Sequence, residues 1–151
     1  MTGETLQVAV LAPGDARAFG ELLALPGIAD HYFSCPREQL GSRIAAIALW
    51  SGWQTDGILY LAARDASGGF VAGAHLTATS IGFFVHPAWR GHGWGSRLVG
   101  ACADQAAAHG LHALHAATRP DNLPAQALLS RTGFSRVGTA GLARWDYRRD
   151  L

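Results

Sequence analysis

Residues Val85 to Leu98 run VHPAWRGHGWGSRL, and about two dozen residues on, Arg119 to Phe134 run RPDNLPAQALLSRTGF. The first stretch has the order strand end, tight turn, helix start. Arg90-Gly91-His92-Gly93-Trp94-Gly95 fits R-x-x-G-x-G, and Ser96 opens a run with helical spacing at Leu98, Cys102 and Ala106. Glycines at such a turn let the backbone face a ligand with no Cβ in the way. Free amides at the helix start converge on one spot, where the helix dipole also favours negative charge. A pyrophosphate suits that arrangement. Arg90 and Arg97 add positive charge nearby.

A glycine-rich strand–turn–helix is shared by nucleotide-binding folds of several kinds. The dinucleotide fingerprint fits poorly, since it needs G-x-G-x-x-G near the start of a βαβ unit and an acidic residue about 20 positions later. The second stretch instead contains Asn122, Ala125, Leu128 and Gly133-Phe134 as N-x-x-A-x-x-L-x-x-x-x-G-F. Together the two stretches resemble the acetyl-CoA-binding half of the GCN5-related N-acetyltransferase (GNAT) superfamily. The resemblance is close over roughly residues 80 to 139 and elsewhere follows element order. It leans toward the branch of the ribosomal-protein N-terminal acetyltransferases, as does ELLALPGIADHYFSCP with its short helix and loop.

Size and composition agree with one domain spanning residues 1 to 151. Apolar residues make up 49% and charged residues 15%, a globular composition. No apolar run approaches the ~20 residues of a membrane span, and MTGETLQVAV lacks a signal-peptide pattern. A soluble, cytoplasmic protein without membrane contact is expected. The net charge is +1, with 12 arginines, no lysine and no basic stripe, which argues against a nucleic-acid partner. Of the two cysteines, Cys102 falls on an apolar helix face and reads as a buried free thiol.

Along the chain, Leu6–Leu11 reads as a strand, and Pro13-Gly14-Asp15 turns into a helix with Phe19, Leu22 and Leu23 on its apolar stripe. A loop from Ile28 to Cys35 precedes a second helix that starts at Pro36 and stops near Gly52. Strands follow at Gly57–Arg64, Gly69–Thr77 and Ser80–His86, then a helix from about Gly93 to His109 ended by Gly110. Leu111–Thr118 is a strand, Asp121 or Asn122 caps a short helix, and Phe134–Gly138 and Leu142–Arg148 are the last strands. This order is the superfamily's own. It implies an α/β (α+β) GNAT fold: one mixed, mostly antiparallel central sheet of about seven strands, flanked by about four helices.

The resemblance implies acetyl-CoA as co-substrate and no metal. The pantetheine arm would lie along the main chain of Phe83, Phe84 and Val85. The pyrophosphate would sit on the amides of Gly91, His92, Gly93, Trp94, Gly95 and Ser96 beside Arg90, and Asn122 would meet the arm as well as cap a helix. Trp94 either packs under the helix or flanks the nucleotide. A charge-assisted bond contributes on the order of 1.5–3 kcal/mol, so a handful supports micromolar binding.

The catalytic pattern is broken. Many relatives carry a Glu base five residues before the motif Asn and a Tyr acid seven residues after it; here these are Ala117 and Leu129. In the branch the chain leans toward, Leu at the Tyr position is common and Ser often stands three residues after the Asn, but here that is Ala125. The catalytic residues are therefore unassigned, with His75, His115 and His86 as candidates, since imidazole is the near-neutral base. His109, His112 and His115 have helical spacing, but Gly110 breaks the helix, so they do not form a metal site.

Deprotonating a Lys-like amine at pH 7 costs about 4.6 kcal/mol, against about 1.4 for an α-amine. A chain without an obvious base favours the easier amine, with proximity supplying most of the rate. The expected activity is acetyl transfer to a small-molecule amine or a protein N-terminus by direct attack in a ternary complex. The alternative is a non-catalytic acyl-CoA-binding domain. Action on aminoacyl-tRNA is disfavoured by the charge. The acceptor pocket is expected from the first two helices, the loop with Asp30, Tyr32 and Phe33, and the last hairpin. Glu38, Trp50, Trp53 and Asp56 also populate those segments. A homodimer through the C-terminal strands is also compatible.

Overall fold

The computed structural model describes residues 8–23, 57–139 and 144–151. The chain enters as strand β1 (Val8–Val10), makes a single 3-10 turn at Pro13–Asp15 and forms helix α1 (Ala16–Leu23). Strands β2 (Ile58–Arg64), β3 (Phe70–Thr77) and β4 (Ile81–Val85) follow. After a 3-10 turn at Pro87–Trp89 come α2 (Trp94–Ala108), β5 (Ala113–Thr118), α3 (Leu123–Arg131), β6 (Ser135–Thr139) and β7 (Trp145–Asp150). The expected loop at 28–35, the second helix and Cys35 lie outside the described residues.

The fold class is the mixed α/β arrangement of the GNAT domain, but the central sheet is not continuous. Strands β1-β2-β3-β4 form one sheet and β5-β7-β6 another, and every ladder is antiparallel. Strands β4 and β5 lie side by side without a shared ladder. The two sheets live in different environments. Strands β2 and β3 are buried along nearly their whole length, so both of their faces are covered. Strand β5 alternates instead, burying Leu114, Ala116 and Thr118 while His115 and Ala117 stay exposed.

Helix α1 covers one face of the first sheet. The Phe19 ring packs 5.4 Å from Tyr60 and 5.5 Å from Phe84, and it occupies the space over Gly73. A Cβ on Gly73 would come within 2.5 Å of that ring, so only glycine allows the approach. The opposite face is left to α2, which runs against β1 to β5 and buries Trp94, Leu98, Val99, Cys102 and Ala106. Its burial pushes the Cys102 thiol up to about 12, which keeps it a protonated, inert core residue as expected from its helix face.

Two boundaries refine the sequence reading. The last strand runs to Asp150 rather than Arg148, because Tyr147 points into the core while Arg148 pairs with Asp150 at 2.9 Å on the outer side. In β6 the register slips between Arg136 and Gly138, and Val137 is left 61% exposed at the bulge. A bulge on an edge strand hinders pairing with a further strand.

Candidate active site

Strand β4 is the edge of the first sheet, so one side of its backbone faces the gap beside β5. The His86 amide donates to the Val71 carbonyl at 2.8 Å, which sets the parity of the β3–β4 ladder. Antiparallel pairing alternates, so Phe84 and Gly82 bond to β3, while the amides and carbonyls of Phe83 and Val85 point toward the gap. Arg90 Nε reaches the Val85 carbonyl at 3.3 Å, in keeping with that orientation. The Phe84 side chain is buried in the core, and Phe83 and Val85 pack partly buried against it. What these three residues present to the gap is therefore main chain.

Pro87 cannot donate a ladder hydrogen bond, and the chain turns there. His86 caps the 3-10 turn, its Nδ1 accepting from the Ala88 amide at 3.0 Å. Gly91 and Gly93 then adopt φ of 81° and 83°, a region that costs other residues roughly 1–2 kcal/mol. Gly93 is the N-cap of α2 and has no side chain to cap it. Among the described residues, no acceptor meets the amides of Gly91 through Ser96. Six donors at the positive end of a 15-residue helix thus lack an internal partner, a cradle that an anion would cap.

Gly95 serves packing. A Cβ there would meet Leu128 Cδ2 at 2.6 Å, so this glycine lets α3 close against the first turn of α2. Trp94 is 2% exposed and belongs to the core, with Arg97 stacked 4.8 Å above its ring. Only its amide is available to the cradle. Asn122 caps α3, its Oδ1 accepting from the Ala125 amide at 3.3 Å. Asp121 is paired with Arg119 at 3.1 Å. Gln126 Nε2 donates to the carbonyls of Arg119 and Pro120 at 3.2 and 2.9 Å, a brace for this turn that the sequence reading did not anticipate.

The catalytic candidates separate clearly. Leu129 is fully buried and Ala117 lies on the exposed face of β5. His115 shares that face, opposite Arg148. His86 is occupied by its cap. His75 pairs with Gly82 across the β3–β4 ladder, and its ring fills the space a Gly82 side chain would need. The imidazole therefore extends over β4 on the face that carries Phe19 and Tyr60. Burial lowers its pKa to about 4, so it is neutral at pH 7.

One residue escaped the sequence reading. Ala117 pairs with Asp146 of β7, and directly opposed residues share a face at roughly 4.5–5.5 Å between Cβ atoms. A carboxylate thus stands beside the position that Ala117 leaves empty, with Arg144 Nε 3.1 Å from its Oδ1. The alternation Trp145-Asp146-Tyr147 shows that Asp146 points away from the core. Only the β5–β7 register shows that it faces Ala117.

His109 and His112 add nothing to this cluster: His109 Nδ1 is bound to the Gln105 carbonyl at 2.7 Å, and His112 precedes β5. Among the described residues, no group of three or more His, Cys, Asp or Glu is arranged to hold a metal. No helix among them is long and apolar enough to cross a membrane.

The model of the acetyltransferase (GNAT) family matches residues 18–134. No curated protein sequence matches the chain. Among solved structures it is similar to the GNAT domain of S. lividans PAT, with 17% identity, a TM-score of 0.83, and 97% of this chain and 90% of that one covered. It is also similar to the ribosomal-protein-S5-alanine acetyltransferase of Vibrio fischeri (16% identity, TM-score 0.76, 99% and 95% covered). A third is a candidate acetyltransferase of Salmonella typhimurium solved with its cofactor acetyl-CoA (17% identity, TM-score 0.73, 97% and 94% covered). The chain belongs to the GNAT acetyltransferase family, and it is an acyltransferase of the acetyl-CoA-dependent N-acetyltransferase class.

Proposed function

We propose that the chain transfers acetyl from acetyl-CoA to an α-amine or another weakly basic amine, on a small molecule or a protein N-terminus, by direct attack. What supports the co-substrate part is the run of six amides from Gly91 to Ser96 that have no partner among the described residues, which opens beside the edge of β4 that pairs with no described strand. The diphosphate caps α2, with Arg90 and Arg97 nearby. The pantetheine arm pairs with the outward amides and carbonyls of Phe83 and Val85, and Asn122 flanks it from the head of α3. The side chains of Phe84 and Trp94 support this strand and helix from the core and do not touch the ligand.

The acceptor approaches on the face that carries His75 and Asp146, one on each side of the β4–β5 gap. Asp146 attracts the ammonium form, which loses a proton to solvent; the carboxylate then takes the proton that the amine nitrogen sheds once it has attacked, while neutral His75 lines the other side. An α-amine requires only about 1.4 kcal/mol to deprotonate at pH 7, within reach of a modest base. Leu129 cannot protonate the leaving thiolate, so that proton comes from solvent or from the amine itself. This reading includes a cytoplasmic location and no nucleic-acid partner. A homodimer is tested by light scattering, although the bulge in edge strand β6 works against pairing through that strand.

The test is turnover of acetyl-CoA, followed by thiol release, over a panel of N-terminal peptides, polyamines and amino sugars. Acetylation of α-amines in preference to lysine side chains, with a rate that levels off below about pH 9, is expected. Preference for lysine side chains with no plateau to high pH would reject the acceptor class. Binding of acetyl-CoA without turnover on any amine would favour a non-catalytic acyl-CoA-binding domain.

A further inference from the structure

The turn between β4 and α2 carries an imidazole, His92, flanked on both sides by glycine. His92 Nδ1 lies 2.9 Å from the Arg90 carbonyl and 3.1 Å from the Trp89 carbonyl. Carbonyl oxygens only accept, so Nδ1 carries the hydrogen and donates to both. The ring also rests 6.0 Å from that of Trp89, itself packed partly buried against the core. Two carbonyls and one aromatic ring fix the orientation of an otherwise exposed side chain. With Nδ1 committed, Nε2 is the one nitrogen left to take a further proton.

The charged and titratable groups around His92 are known. Arg90 is held at the Val85 carbonyl, Arg97 stacks on Trp94, and His86 accepts from the Ala88 amide. No ion pair among the described residues includes His92. The backbone amide of His92 is one of the six in the cradle, so an anion seated there lies beside this residue. With its hydrogen on Nδ1, a neutral ring can offer an adjacent anion only a lone pair, whereas a protonated ring can offer a donor. Imidazole changes charge between pH 5 and 8, and a neighbouring anion favours its charged form.

We propose that His92 takes up a proton at Nε2 when a diphosphate occupies the cradle, so that binding of the acyl-CoA co-substrate is linked to pH. This rests on the co-substrate reading above. The proton comes from solvent, the imidazole becomes imidazolium, and its Nε2–H donates to a phosphate oxygen in a charge-assisted bond. Affinity then falls as pH rises through the neutral range.

Titration calorimetry with dephospho-CoA near pH 7, in two buffers of different ionisation enthalpy, counts the protons taken up. Dephospho-CoA lacks the 3′-phosphate monoester, whose own ionisation near pH 6 would add protons to the count. His92→Asn is the variant of choice, because its amide nitrogen can still donate to the Arg90 carbonyl while no second proton can be bound. Wild type should take up a fraction of a proton and His112→Gln the same, while His92→Asn takes up none and binds roughly tenfold more weakly. Binding with no uptake in wild type, or with equal uptake in His92→Asn, overturns the proposal and leaves the co-substrate reading standing. No binding by wild type in any buffer rejects both.

Discussion

The β4–α2 turn and the outer face of the β5-β7-β6 sheet flank the same gap, yet they are built in opposite ways. The turn is determined locally. Pro87 ends the strand, two glycines with positive φ reverse the chain, and Trp94 anchors the helix in the core, all within eight residues. The groups it would offer a ligand are main-chain amides, whose positions follow from φ and ψ. The outer face is determined at a distance. His115 stands opposite Arg148 and Ala117 opposite Asp146, pairs about 30 residues apart in the chain that meet only through strand register. A co-substrate common to a family can be read by backbone alone, whereas an acceptor must be recognised by side chains.

That contrast can be broken most severely at the turn. Gly93→Glu places a carboxylate at a position with φ of 83° in the proposed diphosphate cradle, so acetyl-CoA affinity should fall at least 100-fold by calorimetry. Gly93→Ala separates backbone strain from charge and should lose about tenfold or less. Equal affinities in wild type and Gly93→Glu would remove the turn from the binding site.

On the outer face, Asp146→Asn should lower kcat/KM roughly 10- to 100-fold and leave the Kd for acetyl-CoA unchanged, since the carboxylate serves only the amine. A loss of acetyl-CoA binding in this variant would show that the two regions are not separable.

A smaller effect belongs to His75. Its folded pKa of about 4 lies below the ordinary 6.5, so between these values the unfolded chain binds more protons. Stability therefore rises with pH from about 4 to 6.5 and is lost as pH falls through that window. In His75→Gln, Tm measured by scanning calorimetry should vary less over the same range. An unchanged pH slope would place the origin in other groups.

The smallest effect is expected at the end of β5, where the buried Thr118 Oγ1 has no hydrogen-bond partner. Thr118→Val removes an unsatisfied hydroxyl at nearly constant volume and should stabilise the protein by about 1 kcal/mol in urea unfolding. Destabilisation would mean that the hydroxyl has a partner in solution.

Much of this was legible in the chain. The strand and helix order from Gly57 onward, the uncapped glycine turn and Asn122 as a helix cap all depend on neighbours within about five positions, which is the range of turn chemistry and capping. The identity of Cys102 as core followed from helical spacing. Trp94 did not, because a tryptophan between two glycines satisfies either a core or a ligand contact, and its burial by the packing of α2 resolves the choice.

What the sequence by itself determined is the family, the glycine turn ahead of α2, and that Ala117 and Leu129 stand where many relatives carry Glu and Tyr. Those are statements about residue type and local conformation. Only the tertiary structure decided that the sheet splits between β4 and β5, that the His75 ring extends over Gly82, and that Asp146 stands beside Ala117. Strand register and the covering of sheet faces are set by burial summed over the whole core, and no local stretch of chain encodes that sum.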